Sequence, residues 1–145
     1  MNKDLRGNLL LLVLAGAFAI LFVEVRFEHQ RVLRDSGEGQ FALIPVVAAG
    51  LLCFASLLGL AKAAIPRAFS TVLFVLGIAT GLAGLYFHSE GEWEKVIEFV
   101  NPMAIPSRNR DYPPLLAPLS FTGLSTMGVI LTAGGIRTRR QRKTA

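Results

Sequence analysis

A chain of 145 residues that is 52% hydrophobic, with a formal charge of +5 and a mean hydropathy of +0.51, is too apolar for an ordinary soluble domain. Its one cysteine, Cys53, excludes an internal disulfide and a CxxC redox or zinc site. No run alternates apolar and polar residues as a membrane β-barrel would require.

Four apolar runs, at about 8–27, 41–60, 69–87 and 115–136, organise the chain. Each is close to 20 residues, and at about 1.5 Å per residue that crosses a ~30 Å hydrocarbon core. A spanning segment must satisfy its own backbone groups, so these runs are expected to be helices. The expected fold is all-α: an integral membrane four-helix bundle forming one domain over 1–145.

Lys3 and Arg6 precede the first run as they would in a signal peptide. The run continues past the usual length and no small-x-small cleavage site follows it, so it reads as a retained span. It closes on Val23-Glu24-Val25-Arg26-Phe27-Glu28-His29-Gln30-Arg31. Charges so close to a span's end are costly unless partnered. Leu10, Val13, Ala17, Glu24, Glu28 and Arg31 recur at helical spacing, so Arg31 can pair with either glutamate. His29 lies about 100° round the helix from Glu28.

Gly37 and Gly39 mark a turn, and Pro45 falls near the start of the second span, where its missing N–H costs least. Ala49, Cys53 and Ser56 form a small-residue stripe. A tight turn at Ala61–Ala68, with Pro66, leads to the third span. There Gly77, Gly81, Gly84 and His88 fall within about 60° on one helix face. Gly77-x-x-x-Gly81 is a small-xxx-small pattern, which predicts close packing through Gly77, Gly81 and Gly84 with His88 at the end of the seam.

The connection over 89–113 is too long for a plain turn. Trp93, Val96, Ile97 and Val100 are spaced as in a short interfacial amphipathic helix, ended by Asn101-Pro102. Tyr86, Trp93 and Tyr112 would join an aromatic belt on that side. The fourth span opens at Pro114–Pro118 and carries a small polar face of Ser125, Gly128, Thr132 and Gly135. A basic tail covers 137–145.

With four spans, the termini and the Ala61–Ala68 turn share a side that holds nine of the fifteen basic residues and one acid, Asp4. That asymmetry predicts cytoplasmic N- and C-termini in a multi-pass protein of the bacterial inner membrane. Anionic lipid next to the tail explains its arginines more simply than nucleic acid, so no nucleic-acid partner is expected.

Glu24, Glu28, His29, His88, Glu90 and Glu92 all fall towards the outer side and are a ligand set for transition metals. Glu24, Glu28 and His88 are the candidate metal ligands. The di-metal pattern Glu-x-x-His is missing, because Arg26 precedes His29 by three and Leu85 precedes His88 by three. His29 and His88 end two spans that run the same way, so the pair could ligate one haem. The plainer expectation is a polar cluster of Glu24, Glu28, Arg31 and His88 that fixes packing, with no cofactor. Neither a nucleophile motif nor a phosphate-binding glycine loop is present.

The leading functional expectation is a non-enzymatic accessory or scaffold subunit. Its partners would be the lipid bilayer and other membrane subunits, or copies of itself. The alternatives are a small haem- or metal-binding redox module using His88 and His29, and a small cation transporter using Glu24.

Overall fold

The computed structural model describes the backbone of residues 3–30, 39–61, 63–89 and 116–143, and side chains over 5–30, 43–61, 63–89 and 117–134. Four helices account for nearly all of it: α1 Lys3–Glu28, α2 Gly39–Leu58, α3 Ala64–His88 and α4 Leu116–Lys143. Among the described residues there is no strand. Leu5–Glu28, Ala64–His88 and Ala117–Gly134 are long and apolar enough to cross a membrane, and α2 contributes the shorter apolar stretch Leu43–Leu58.

The outward faces of these helices are as apolar as the interior. Val13, Ile20, Val72, Leu82 and Ile130 are all more than half exposed. Hydroxyls lie inside instead: Ser56, Ser70, Ser125 and Thr132 are fully buried. A protein in water sorts the other way, so the outward apolar faces suit contact with a lipid bilayer.

Each helix packs on its neighbours in sequence, and α4 returns to α1. Helices α1 and α3 make no direct backbone approach and stand on a diagonal. Alternating direction gathers the C-terminal ends of α1 and α3 with the N-terminal ends of α2 and α4; we call this the histidine end. The most regular buried row on α1 is Leu11, Leu14, Phe18, Leu21 and Val25, with Ala15 buried beside it, and on α4 it is Pro118, Phe121, Ser125, Gly128 and Thr132. Steps of three and four averaging 3.5 are the signature of near-parallel packing with a shallow left-handed twist.

The stripe expected on α1 is rotated away from this face. Leu10, Val13, Glu24 and Glu28 are exposed, and the adjacent row buries instead. The reason is physical: when lipid surrounds the helices, apolar character does not mark the inner face, and the large, well-spaced side chains of Leu14, Phe18 and Leu21 occupy it.

The glycine seam of α3 lies against α4. A β-carbon at Gly77 would overlap the Ser125 hydroxyl and come within 2.8 Å of Leu52. One at Gly81 would overlap the Thr122 hydroxyl and lie 2.8 Å from backbone atoms of Pro118 and Thr122. At Gly84 it would meet the Pro118 ring at 3.4 Å. In return, Gly128 leaves room for the Phe74 ring. Hydroxyls join the helices: Ser70 donates to the Ala55 carbonyl on α2 at 2.8 Å, and Thr71 donates to Thr132 on α4 at 2.8 Å.

Helix α3 begins at Ala64, so Pro66 lies in its first turn and not before it. The N–H that Pro66 lacks would have had no intrahelical partner there. Arg67 Nε donates to the Ala61 carbonyl at 3.1 Å and ties the turn to the helix. The α4 helix continues to Lys143, through most of the basic tail. The interfacial helix expected around Trp93 lies outside the described residues.

Candidate functional site

The site follows from how α1 and α3 end. Helix α1 stops at Glu28, and His29 sits in the turn beyond it. Its backbone N–H donates to the Val25 carbonyl at 3.0 Å, and its ring Nδ1 reaches the same oxygen at 2.9 Å. A carbonyl only accepts, so Nδ1 carries the proton and Nε2 keeps its lone pair free. Locally this is a helix terminus capped by its own histidine. The same bond also orients the ring, as a backbone carbonyl does for metal-binding imidazoles.

Helix α3 ends on His88 with Ser89 as its cap. Ser89 N–H donates to the Leu85 carbonyl at 3.0 Å, and its hydroxyl to the Tyr86 carbonyl at 3.1 Å. Among the described residues no hydrogen-bond partner holds the His88 ring. Its neighbour is His29: the ring centres are 6.4 Å apart and the planes cross at 88°. The only two histidines in the chain thus meet across the α1–α3 diagonal.

The pair lines a partly open cavity of about 840 Å³ to which all four helices contribute. Val25 comes from α1, His29 from the turn that follows it and Pro45 from α2; Ala83, Gly84 and His88 come from α3, and Pro118 and Phe121 from α4. On α3 the wall is made largely of small residues, Ala79, Ala83 and Gly84, which leave the space open. Below it, Phe18 packs on Phe74 and Phe121, with ring centres 6.2 and 6.4 Å apart, and closes the diagonal. The volume is in the range of small-molecule and cofactor sites. Apart from the two imidazoles and Thr80, the wall is apolar.

The other candidate residues are arranged differently. Glu24 and Glu28 are exposed and do not line the cavity. Neither has an ion-pair or hydrogen-bond partner among the described residues. Among the described residues His88 therefore meets His29 and neither Glu24 nor Glu28; Arg31, Glu90 and Glu92 lie outside the described residues. Among the described residues no three of His, Cys, Asp and Glu come together. Cys53 is half-buried, and its thiol is free.

Sequence reasoning set His29 on a different face from Glu28, and Glu28 is exposed while His29 is half-buried; it did not see that His29, four residues after the buried Val25 and still bonded to its carbonyl, continues the inner row of α1. It also missed Phe121 and the Ala79, Ala83, Gly84 wall. The i, i+4, i+5 spacing of those small residues was the available signal.

Compared with protein-family models, with curated proteins and with solved structures, the chain shows no match.

Proposed function

We propose that this chain is a small membrane redox module that binds one haem between His29 and His88. The protein would be a four-span bundle in a bacterial inner membrane, with both termini cytoplasmic and the histidine end on the opposite side. The observation that carries the reading is the 6.4 Å between the two imidazole centres at the wall of an apolar cavity. Imidazole–metal bonds are about 2.0–2.1 Å, and a ring nitrogen lies roughly 1.1 Å from its ring centre, so two imidazoles on opposite sides of one ion have centres about 6.3 Å apart. His29 and His88 would hold the iron, and the group would supply one-electron transfer when bound.

Two imidazoles are few ligands for a bare ion, which commonly takes four or more. A porphyrin supplies the in-plane ligands itself and needs only axial ones from the protein. Its macrocycle suits the apolar wall, with its two propionates lying outside the cavity. This reading is preferred to a purely structural cluster because, among the described residues, the histidines meet each other and not Glu24 or Glu28. The chain's own residues would bind and orient the group and shield it from water.

The test is spectroscopic. Purified protein titrated with hemin should show a saturable Soret shift at one equivalent, and sharp α and β bands on reduction. His29→Ala and His88→Ala should each lose the six-coordinate spectrum. Absence of saturable binding to the folded wild-type protein rejects the reading.

A second reading, an accessory subunit of a larger membrane assembly, is favoured by Glu24, Arg26 and Glu28. All three are exposed near the end of an apolar helix, where a partner subunit or lipid headgroups would have to meet them. Co-purification of a defined partner, lost in a Glu24→Ala/Glu28→Ala variant, would support it. The transport reading gains nothing, because Glu24 is not on the cavity wall.

A further inference from the structure

The inner end of the histidine cavity is marked by Phe121. Of the α4 residues on the wall, Ala117, Pro118 and Phe121, it lies farthest from the histidine end, and it is buried. On α1 the wall stops at Val25. Beyond Phe121 the interior is filled with rings. Phe18 packs on Phe121 with centres 6.4 Å apart, and Phe74 stacks on Phe18 with centres 6.2 Å apart and planes at 27°. The three rings come from α4, α1 and α3, and none is more than 2% exposed.

The last ring of this series is set from the side by a glycine. A β-carbon at Gly128 would lie 2.5 Å from Cγ and Cδ1 of Phe74, closer than carbon atoms pack, so a methyl there has to displace the ring. Phe74 is fully enclosed. A close-packed interior has low compressibility and passes such a displacement on. The ring that Phe74 stacks on is Phe18, and the ring that Phe18 packs on next is Phe121. Gly128 is thereby joined to the cavity wall, although Phe74 lies fourteen residues before His88, about 21 Å down α3.

We propose that Phe121 is a positioning residue of the site, setting how deep a ligand can sit, and that Phe18, Phe74 and Gly128 hold its ring at that depth. Packing on the α3–α4 seam then controls what the cavity admits. The inference rests on the cavity being the ligand site, and takes haem only as one of its probes.

The experiment reads the cavity twice in the purified full chain, once without haem and once with it. Val25→Cys in a Cys53→Ala background places a thiol on the cavity wall, and methyl and benzyl methanethiosulfonates report how large a reagent reaches it. Phe121→Ala should speed benzyl labelling about tenfold over the parent. Phe18→Leu, which withdraws the support of Phe121, should act in the same direction by less. Gly128→Ala should slow benzyl labelling and weaken hemin binding about tenfold. Adding Phe74→Leu to Gly128→Ala makes room for the methyl and should return both readouts towards the parent, which a general loss of stability would not do. Thermal melts would show which variants fold, and Phe121→Leu serves where Phe121→Ala does not. Unchanged benzyl labelling in a folded Phe121 variant, or in folded Gly128→Ala and Phe18→Leu together, would overturn the proposal. The thiol is read without haem, so the two readings fail separately. Altered labelling in a chain that takes up no hemin removes only the haem, and hemin uptake with unchanged labelling removes only this inference.

Discussion

Ser125 turns its hydroxyl onto the bare backbone of Gly77, at a place where a β-carbon would overlap it. That oxygen is fully buried and has no hydrogen-bond partner among the described residues. A neighbouring hydroxyl on the same face of α4 is fully used: Thr132 donates to the Gly128 carbonyl at 2.8 Å and accepts from Thr71. The two should respond oppositely to loss of the hydroxyl. Ser125→Ala removes an unsatisfied group and should leave thermal stability unchanged or raise it by up to about 1 kcal/mol. Thr132→Val breaks a link between α3 and α4 and should cost about 1 kcal/mol. Melting curves in one detergent would compare them, and a Ser125→Ala loss as large as that of Thr132→Val would contradict the unpartnered hydroxyl.

The close approach of α3 and α4 makes Gly81 the position least tolerant of a side chain. Gly81→Ala forces its new carbon against backbone at Pro118 and Thr122, which cannot rotate away, so a cost of about 1–3 kcal/mol is expected. Gly81→Leu should be worse. Leu82→Ala, on the exposed side of the same helix, should stay within about 0.5 kcal/mol of wild type. Equal melting temperatures for Gly81→Leu and wild type would be incompatible with the packing seen here.

The histidine pair predicts chemical rescue. His88→Gly leaves a gap the size of an imidazole opposite His29. Added imidazole should restore the six-coordinate haem spectrum in that variant and leave wild type unaffected. Rescue should fail in the His29→Gly/His88→Gly double variant at the same imidazole concentration, because neither ring then remains to anchor the macrocycle. Equal rescue in both would mean that the protein does not supply the axial ligands.

Orientation has its own measurement. In a Cys53→Ala background, a cysteine at Trp93 should react with an impermeant thiol reagent in intact cells, and one at Ala63, in the α2–α3 turn, should react only after lysis. The reverse pattern would invert the topology argued from the lysines and arginines.

Helix content and the approximate ends of the apolar runs were legible in the sequence because they depend on length and hydropathy alone. The glycine spacing on α3 was legible too, since small residues matter wherever helices touch. Which way α1 faces was not. Its outward residues Val13 and Ile20 are as apolar as its buried Leu14 and Phe18, so periodicity of hydropathy carries no information there, and only shape selects the inner row. For the same reason Glu24 and Glu28, on the outward row, could not be separated beforehand from a site at His88. His29 follows Val25 by four residues and continues the inner row of α1, so its place at the cavity could be read only once that row was known.

The α3 seam has a consequence for how the protein is made. Its partner, α4, is synthesised only after the long connection between them, roughly 45 residues later, which at about 5–20 residues per second is on the order of 2–9 s. Through that interval Gly77 and Gly81 have no α4 to cover them, and a bare small-xxx-small surface is adhesive towards other membrane helices. Nascent chains on one polysome would carry the same uncovered surface side by side. The vulnerable period in biogenesis is therefore the wait for Thr122 and Ser125, and slowing translation across 89–115 should increase misassembled or degraded product more than slowing it anywhere before α3.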